Sequence, residues 1–239
     1  MSFEAAKRFL SEDGIQNSYP IARLRNLDNT VLLDDPDDPK AVLIKMDHTA
    51  TMRGDKVALK ELLGTLEKGE YRFHSVDHQS FQACEEVLDN IEDRPTWMMK
   101  RPWEENLEPE YEVVELEESD AEVIDQYWGL GRGDSIDYIK SRIREGQSYG
   151  IRQEGELVAW CLTHYITDKV VSLGFLHVKE GHRRKGYAKA VTEAMCSWAK
   201  EKNLIPVVDI FQDNEESLSL ADKLGFQRIA ENHWFSAEK

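Results

Sequence analysis

The stretch Val170-Val-Ser-Leu-Gly-Phe-Leu-His-Val178, running into Lys179-Glu-Gly-His-Arg-Arg-Lys-Gly-Tyr-Ala188, constrains this chain more than any other. The first part is apolar, β-branched at both ends, and bounded by Asp168-Lys169 and Glu180-Gly181. That pattern predicts a largely buried strand. The second part is basic, contains Gly186 and opens a helical pattern. Val191, Ala194, Met195 and Trp198 recur there at helical spacing and form one apolar face. A strand, a short loop and a helix in that order present unpaired backbone N–H groups to an anion. The first N–H groups of a helix lack internal partners, and the macrodipole adds positive potential. Gly186 has no Cβ to hold a phosphate away from the backbone. Arg183, Arg184 and Lys185 stand where they can screen phosphate charge.

The chain has 239 residues, of which 41% are hydrophobic. That is enough for a real core in one or two domains. No apolar run reaches the length of a membrane span, and the N-terminus carries no apolar signal region. Cys84, Cys161 and Cys196 are odd in number and unclustered, against a disulfide framework or a zinc site. These features predict a cytoplasmic, soluble protein without a metal or a membrane partner. The formal net charge of −16 argues against a nucleic-acid surface. An acidic surface could favour cationic acceptors, or serve only solubility.

In the first half, Phe3 to Leu10 reads as an amphipathic helix and Asp34 to Pro39 as a turn. Ala41–Met46 and Tyr71–Val76 read as strands. Lys56 to Leu66 reads as a helix with Leu59, Leu62, Leu63 and Leu66 on one side. Phe81 to Ile91 also reads as a helix, and Thr96–Met99 as a further strand. Alternating strands and helices suggest a small α/β unit over 1–103. His48, His74 and His78 there show no clear ligand spacing. Two prolines, Pro102 and Pro109, and a cluster of acids mark a boundary at Arg101–Pro109, with the linker at 104–110.

In the second half, 111–239, Tyr111–Leu116 alternates as a strand. Ser119-Asp120 is expected to cap a helix through Tyr127. Gly129-Leu-Gly-Arg-Gly133 has no strand before it, which excludes a dinucleotide loop; it reads as a flexible connection. Asp134 or Ser135 should cap the next helix, with Ile136, Ile139 and Ile143 inside. Tyr149–Arg152 and Leu157–Thr163 form a hairpin around Glu154-Gly155. Pro206–Phe211 should be a parallel partner of the central strand. Asp213 and Glu216 offer a capping box for the helix that Gly225-Phe226 ends, and Ile229 with Trp234-Phe235 suits a final hairpin arm.

Arg183-x-x-Gly186-x-Ala188 resembles the Arg/Gln-x-x-Gly-x-Gly/Ala motif of the GNAT superfamily of acyl-CoA-dependent N-acyltransferases. Val178 lies five residues before Arg183, where that family ends its fourth strand. Asn214 and Lys223-Leu-Gly-Phe226 follow in the family's order. The resemblance covers about residues 111–236. A narrower likeness rests on Trp128 with nearby glycines, Ser135, Tyr138-Ile139, Ile143 and Gly155–Trp160. These are similar to the glycine N-acyltransferase-like branch, which carries a degenerate N-terminal half. The implied fold is α/β: a mixed central sheet flanked by helices, preceded by a smaller degenerate GNAT-like half.

The resemblance implies acetyl-CoA, or another acyl-CoA, as co-substrate. Backbone groups of Leu176, His177 and Val178 would bond the pantetheine arm. The loop Arg183, Arg184, Lys185, Gly186, Tyr187 and Ala188 would hold the pyrophosphate. Asn214 would contact the pantetheine or cap its helix. An acceptor amine would attack the thioester directly, with the Val178 N–H as oxyanion donor. The family's usual glutamate base stands eleven residues before the motif; here it is Ser172. Its usual tyrosine acid stands four residues before the glycine of the closing Gly-Phe; here it is Ala221. Ser172 can orient a water. His164, on the strand beside the central one, is a candidate base. Tyr187, with Tyr165, is a candidate acid for the leaving thiolate. His177, by strict alternation, should point away from the Ser172 face. Asp209 on an apolar strand would need a partner.

The function this predicts is N-acyl transfer from acyl-CoA to a small amine or amino acid, by a monomer or homodimer. Two other readings stand beside it. One is a non-catalytic acyl-CoA sensor, suggested by Ser172 and Ala221. The other is a protein or peptide N-acetyltransferase.

Overall fold

A computed structural model describes residues 2–102, 109–128 and 135–239. The Gly129–Gly133 segment, Asp134 and most of the expected linker lie outside the described residues. The elements in chain order begin with α1 (Ser2–Leu10), α2 (Ser18–Arg23), β1 (Thr30–Leu33), β2 (Ala41–Met46), β3 (Thr49–Gly54) and α3 (Lys56–Gly64). There follow β4 (Glu70–Asp77), α4 (His78–Glu85), β5 (Asp89–Lys100), β6 (Val114–Glu115), α5 (Ala121–Trp128) and α6 (Ile136–Glu145). The chain continues through β7 (Ser148–Gln153), β8 (Glu156–Ile166), β9 (Val170–Val178), α7 (Tyr187–Glu201), β10 (Ile205–Phe211), α8 (Glu215–Lys223) and β11 (Gln227–Glu238).

Two compact units result. The first takes the chain up to Met99 together with Asp209–Leu218 and Arg228–Lys239. Its strands run in the order β1-β2-β3-β4-β11-β5. β3 and β4 are parallel; β1–β2, β2–β3 and β4–β11 are antiparallel. β2 is buried on both faces, so it reads as a continuous apolar run. Leu43 joins a cluster with Leu59, Leu63, Phe73, Phe81 and Phe235, whereas Val42 and Ile44 pack with Ala6, Leu10 and Leu24. Alternation along one strand thus serves two helical layers, α3 with α4 and α1 with α2.

The second unit takes Lys100–Val208 and Ser219–Gln227. Its strand order is β10-β9-β8-β7-β6, with β10 parallel to β9 and the other pairs antiparallel. Ile124 of α5 and Ile139 of α6 pack with Trp160, Leu162 and Phe175. Helix α7 packs against β7, β8 and β9 and buries Val191, Ala194 and Met195, three of the four residues of the predicted face. Mixed sheets flanked by helices are the architecture anticipated above.

Several local readings are corrected. The helix expected over Phe81–Ile91 stops at Glu85: a turn at Glu86-Val87 follows, and β5 begins at Asp89. Strands β1 and β3 were not anticipated. The Tyr111–Leu116 strand is reduced to Val114–Glu115. Glu117, rather than Ser119, opens the turn into α5: its side chain and that of Asp120 cap each other's backbone N–H. Ser135 does not cap α6; its hydroxyl donates instead to the buried carboxylate of Asp125. Asn214, rather than Asp213, caps α8, accepting from the Ser217 N–H at 3.1 Å. Asp213 pairs with Arg94 at 3.2 Å.

Candidate active site

The second unit contains a strand with an open edge. β10 pairs with β9 only as far as Val207 opposite Ser172. From Leu173 to Val178, β9 has no β10 partner in that register. On its other side β9 pairs with β8 up to Val178 opposite Ala159, and the Lys179 N–H donates to the Val158 carbonyl at 2.9 Å. In an antiparallel ladder, hydrogen-bonded and non-bonded pairs alternate. Lys179 is bonded, so Val178 is not, and its N–H and C=O face the unpaired edge. Leu176, two residues back, lies in the stretch between Gly174 and His177 where the β8–β9 register shifts. The Val178 carbonyl accepts from Arg183 Nε at 3.2 Å. Its N–H is a preset donor on that edge.

The strand leads into a short 3₁₀ turn, Glu180–His182, and then the loop that starts α7. Gly186 is the N-cap at φ 87°, and no side chain caps the helix. Only glycine adopts that backbone without a steric penalty. The N–H groups of Tyr187, Ala188 and Lys189 therefore lie in the first turn without an intrahelical partner. Arg183, Arg184 and Lys185 are exposed around them. The Tyr111 hydroxyl donates to the Lys185 carbonyl at 2.6 Å and props the loop from outside the motif. Its ring meets Tyr187 edge-on, with centroids 4.8 Å apart. Nothing in sequence marks Tyr111 for this role. The buried Nδ1 of His182 has no hydrogen-bond partner.

The candidate catalytic groups are distributed. Ser172 is buried at the point where β10 parts from β9, opposite Tyr165 of β8. His164 covers Gly174 and contacts the Phe175 ring at 4.5 Å. Burial, with the Arg142 charge adding, pushes its pKa down to about 4. Tyr187 sits at the helix start against Tyr111 and His182. Ala221 is buried. Burial raises the thiols of Cys84, Cys161 and Cys196 above the ordinary range, so none offers a thiolate at neutral pH.

His177 requires a correction. Phe175 takes φ 55°, and the β8–β9 register shifts twice nearby. This bulge breaks the two-residue alternation. Gly174, Phe175 and His177 consequently all face the α5 and α6 side. The His177 ring lies 5.0 Å from Trp160 and 4.5 Å from Tyr127, and its Nε2 is buried without a partner. Burial first, then the charges of Arg183 and Lys179, lower its pKa.

The first unit holds Asn214 and Asp209. Asn214 caps α8 as described. Asp209 accepts from Asn232 Nδ2 at 3.3 Å, which is the partner its apolar strand required. Burial raises its pKa to about 6, against the effects of Asn232 and Arg53. A polar cavity of about 550 Å³ in this unit is lined by Arg53, Asp77 and Asn232, among others. Arg53 already donates to Asn17, Met52, Ser75, Gln16 and Asn232 and lies 3.3 Å from Asp77, so it is committed internally. Among the described residues no group of three or more His, Cys, Asp or Glu side chains could hold a metal, and no helix is long and apolar enough to cross a membrane.

Residues 148–235 match the family model described as FR47-like protein. No curated protein matches the sequence. Among solved structures, a Drosophila protein aligns with TM-score 0.69 at 21% identity, over 82% of this chain and 73% of that one. A GCN5-related N-acetyltransferase from Kribbella flavida aligns with TM-score 0.68 at 16% identity, over 97% and 95%. A tandem GNAT protein from the clavulanic acid biosynthesis pathway aligns with TM-score 0.58 at 11% identity, over 93% and 87%. The chain has the GNAT fold shared with these structures.

Proposed function

We propose that the chain is an acyl-CoA-dependent N-acyltransferase that moves an acetyl or other acyl group to the amine of a small molecule or amino acid. One observation carries this reading: the unpaired edge of β9 runs directly into a glycine-led helix start with no side-chain cap. In this reading Leu176 and Val178 bond the pantetheine arm through their backbones, beside His177. Amides from Arg184 to Ala188 receive the pyrophosphate, with Arg183 and Lys185 adding charge. Asn214, in the first unit, keeps the α8 cap. Bound acyl-CoA supplies a thioester carbonyl that a neutral amine attacks directly.

The chain's own groups then position and stabilise. The Val178 N–H receives the developing oxyanion, a contribution of about 3 kcal/mol for one such donor. His164, neutral at pH 7, accepts a proton only weakly; Ser172 orients a water that shares the task. Tyr187 is assigned as proton donor to the leaving thiolate. The first unit is read as a degenerate GNAT-like half, as in the glycine N-acyltransferase-like branch; the whole chain's likeness to a tandem GNAT protein, over 93% of its length, agrees with that. A cytoplasmic location completes the reading.

Acyl transfer is tested by thiol release from acetyl-CoA across a panel of free amines and peptides. Turnover on free amines supports it, and turnover on peptides alone moves the acceptor class to proteins. A second reading, an acyl-CoA-binding sensor, is favoured by Ser172, Ala221 and the weak basicity of His164. Acetyl-CoA binding without thiol release on any acceptor would establish it.

A further inference from the structure

Tyr127, Trp128 and Tyr138 are exposed by 43%, 45% and 41%, large values for aromatic side chains. Scattered exposed apolar residues are ordinary, but a contiguous group marks a binding surface. Trp128 and Tyr138 are contiguous, and Tyr127, beside Trp128 in α5, rests its ring on Trp160 and His177 instead. Trp128 stacks on Tyr138 with centroids 5.8 Å apart and lies 4.6 Å from Phe175. Tyr127 contacts His177 at 4.5 Å. Phe175 and His164 form the floor. The rings lean on one another, so they make a slab rather than a cage around a cation. Two nearby charges are committed: Arg142 pairs with Glu145 at 2.6 Å and lies 5.5 Å from the centre of the Tyr138 ring, and Asp125 accepts from Ser135. The slab is continuous with the candidate active site, because Phe175 and His177 flank Leu176 and precede Val178 on β9.

We propose that the acceptor amine carries a flat apolar group, an aryl or aromatic amino-acid side chain, that lies on Trp128 and Tyr138 while its nitrogen reaches the Val178 edge. This rests on the acyltransferase reading and narrows its acceptor class. An acyl group is the less suitable occupant. The unpaired stretch of β9 closes at Ser172, which limits its length, whereas the slab is open to a molecule arriving from solvent.

The test compares phenylethylamine and phenylalanine amide with glycine and spermidine, using acetyl-CoA and the whole chain. The aromatic amines should show kcat/KM about tenfold or more above the others, the range one apolar contact surface supplies. Trp128→Ala should raise KM for the aromatic amines about tenfold and leave acetyl-CoA affinity and the slow glycine rate unchanged. Trp128→Phe should restore most of the loss. Titration of phenylethylamine into the protein with CoA reads the same site without turnover. Preference for glycine or spermidine, or an equal loss on all acceptors in Trp128→Ala, overturns the proposal. So does a Trp128 effect that follows benzoyl-CoA instead of the amine, or absence of phenylethylamine binding. Failure of acetyl-CoA itself to bind removes the underlying acyltransferase reading, and is seen by calorimetry before any amine is added.

Discussion

The imidazole of His164 occupies the space that a side chain at Gly174 would fill: a Cβ there would lie 2.0 Å from the ring's Cδ2. The two residues face each other across β8 and β9, so one position excludes a side chain in order that the other can be covered. Gly174→Ala must displace the ring against Phe175. It should cost about 1–3 kcal/mol of stability, the usual penalty of overpacking. Denaturant unfolding checks this. An unchanged midpoint would show that His164 is not held over Gly174.

Tyr111 fixes the loop before α7 through its 2.6 Å bond to the Lys185 carbonyl. Tyr111→Phe keeps the ring against Tyr187 and removes only that bond. Acetyl-CoA affinity should fall several-fold, in line with one hydrogen bond of about 1 kcal/mol, with little change in melting temperature. Unchanged affinity would remove Tyr111 from the loop's support.

Asp209 has a folded pKa of about 6, raised from 3.8 mainly by burial. The fold therefore prefers its protonated form. Its contribution to stability falls as pH rises from about 3.8 to 6 and is constant above that. Asp209→Asn should stabilise the fold at pH 7 more than at pH 4, by up to about 3 kcal/mol, read by denaturant unfolding at the two pH values. Equal gains at both pH values would contradict the raised pKa.

His74 shows the opposite sign. Burial lowers its pKa from 6.5 to about 4, while its ring stacks on Trp234 and its Nδ1 meets the Tyr19 hydroxyl at 3.2 Å. Its stabilising contribution is complete above pH 6.5 and is lost as pH falls towards 4. His164 follows the same course. Melting temperature in His74→Phe should depend less steeply on pH across this window than in the parent protein. Parallel slopes would show that His74 titrates normally in the fold.

The residues that shape the glycine-led loop before α7 were legible because their signals are local. A β-branched run, a glycine and a helical repeat place β9, Gly186 and α7 without knowledge of any distant partner. What escaped depends on partners far along the chain. The bulge at Phe175 arises from pairing with β8, and it turns His177 to the face that alternation denied it. Asn214 and Asp213 are adjacent and equally able to cap; Arg94, far off in sequence, engages Asp213. Ile91 fits a helical repeat, but β5 takes it for a strand. The depressed pKa of His164 follows from its burial, which no sequence pattern reports.

The most direct measurement is calorimetric titration with acetyl-CoA of the parent protein and of Gly186→Glu. The variant places a side chain and a negative charge where the loop amides are open. Gly186 stands at φ 87°, so its melting temperature must be recorded alongside, and Gly186→Ala serves as the strain control. The account predicts micromolar binding to the parent, about −8 kcal/mol, with near-complete loss in folded Gly186→Glu and a smaller change in Gly186→Ala. No binding to the folded parent, or undiminished binding to the glutamate variant, would contradict it.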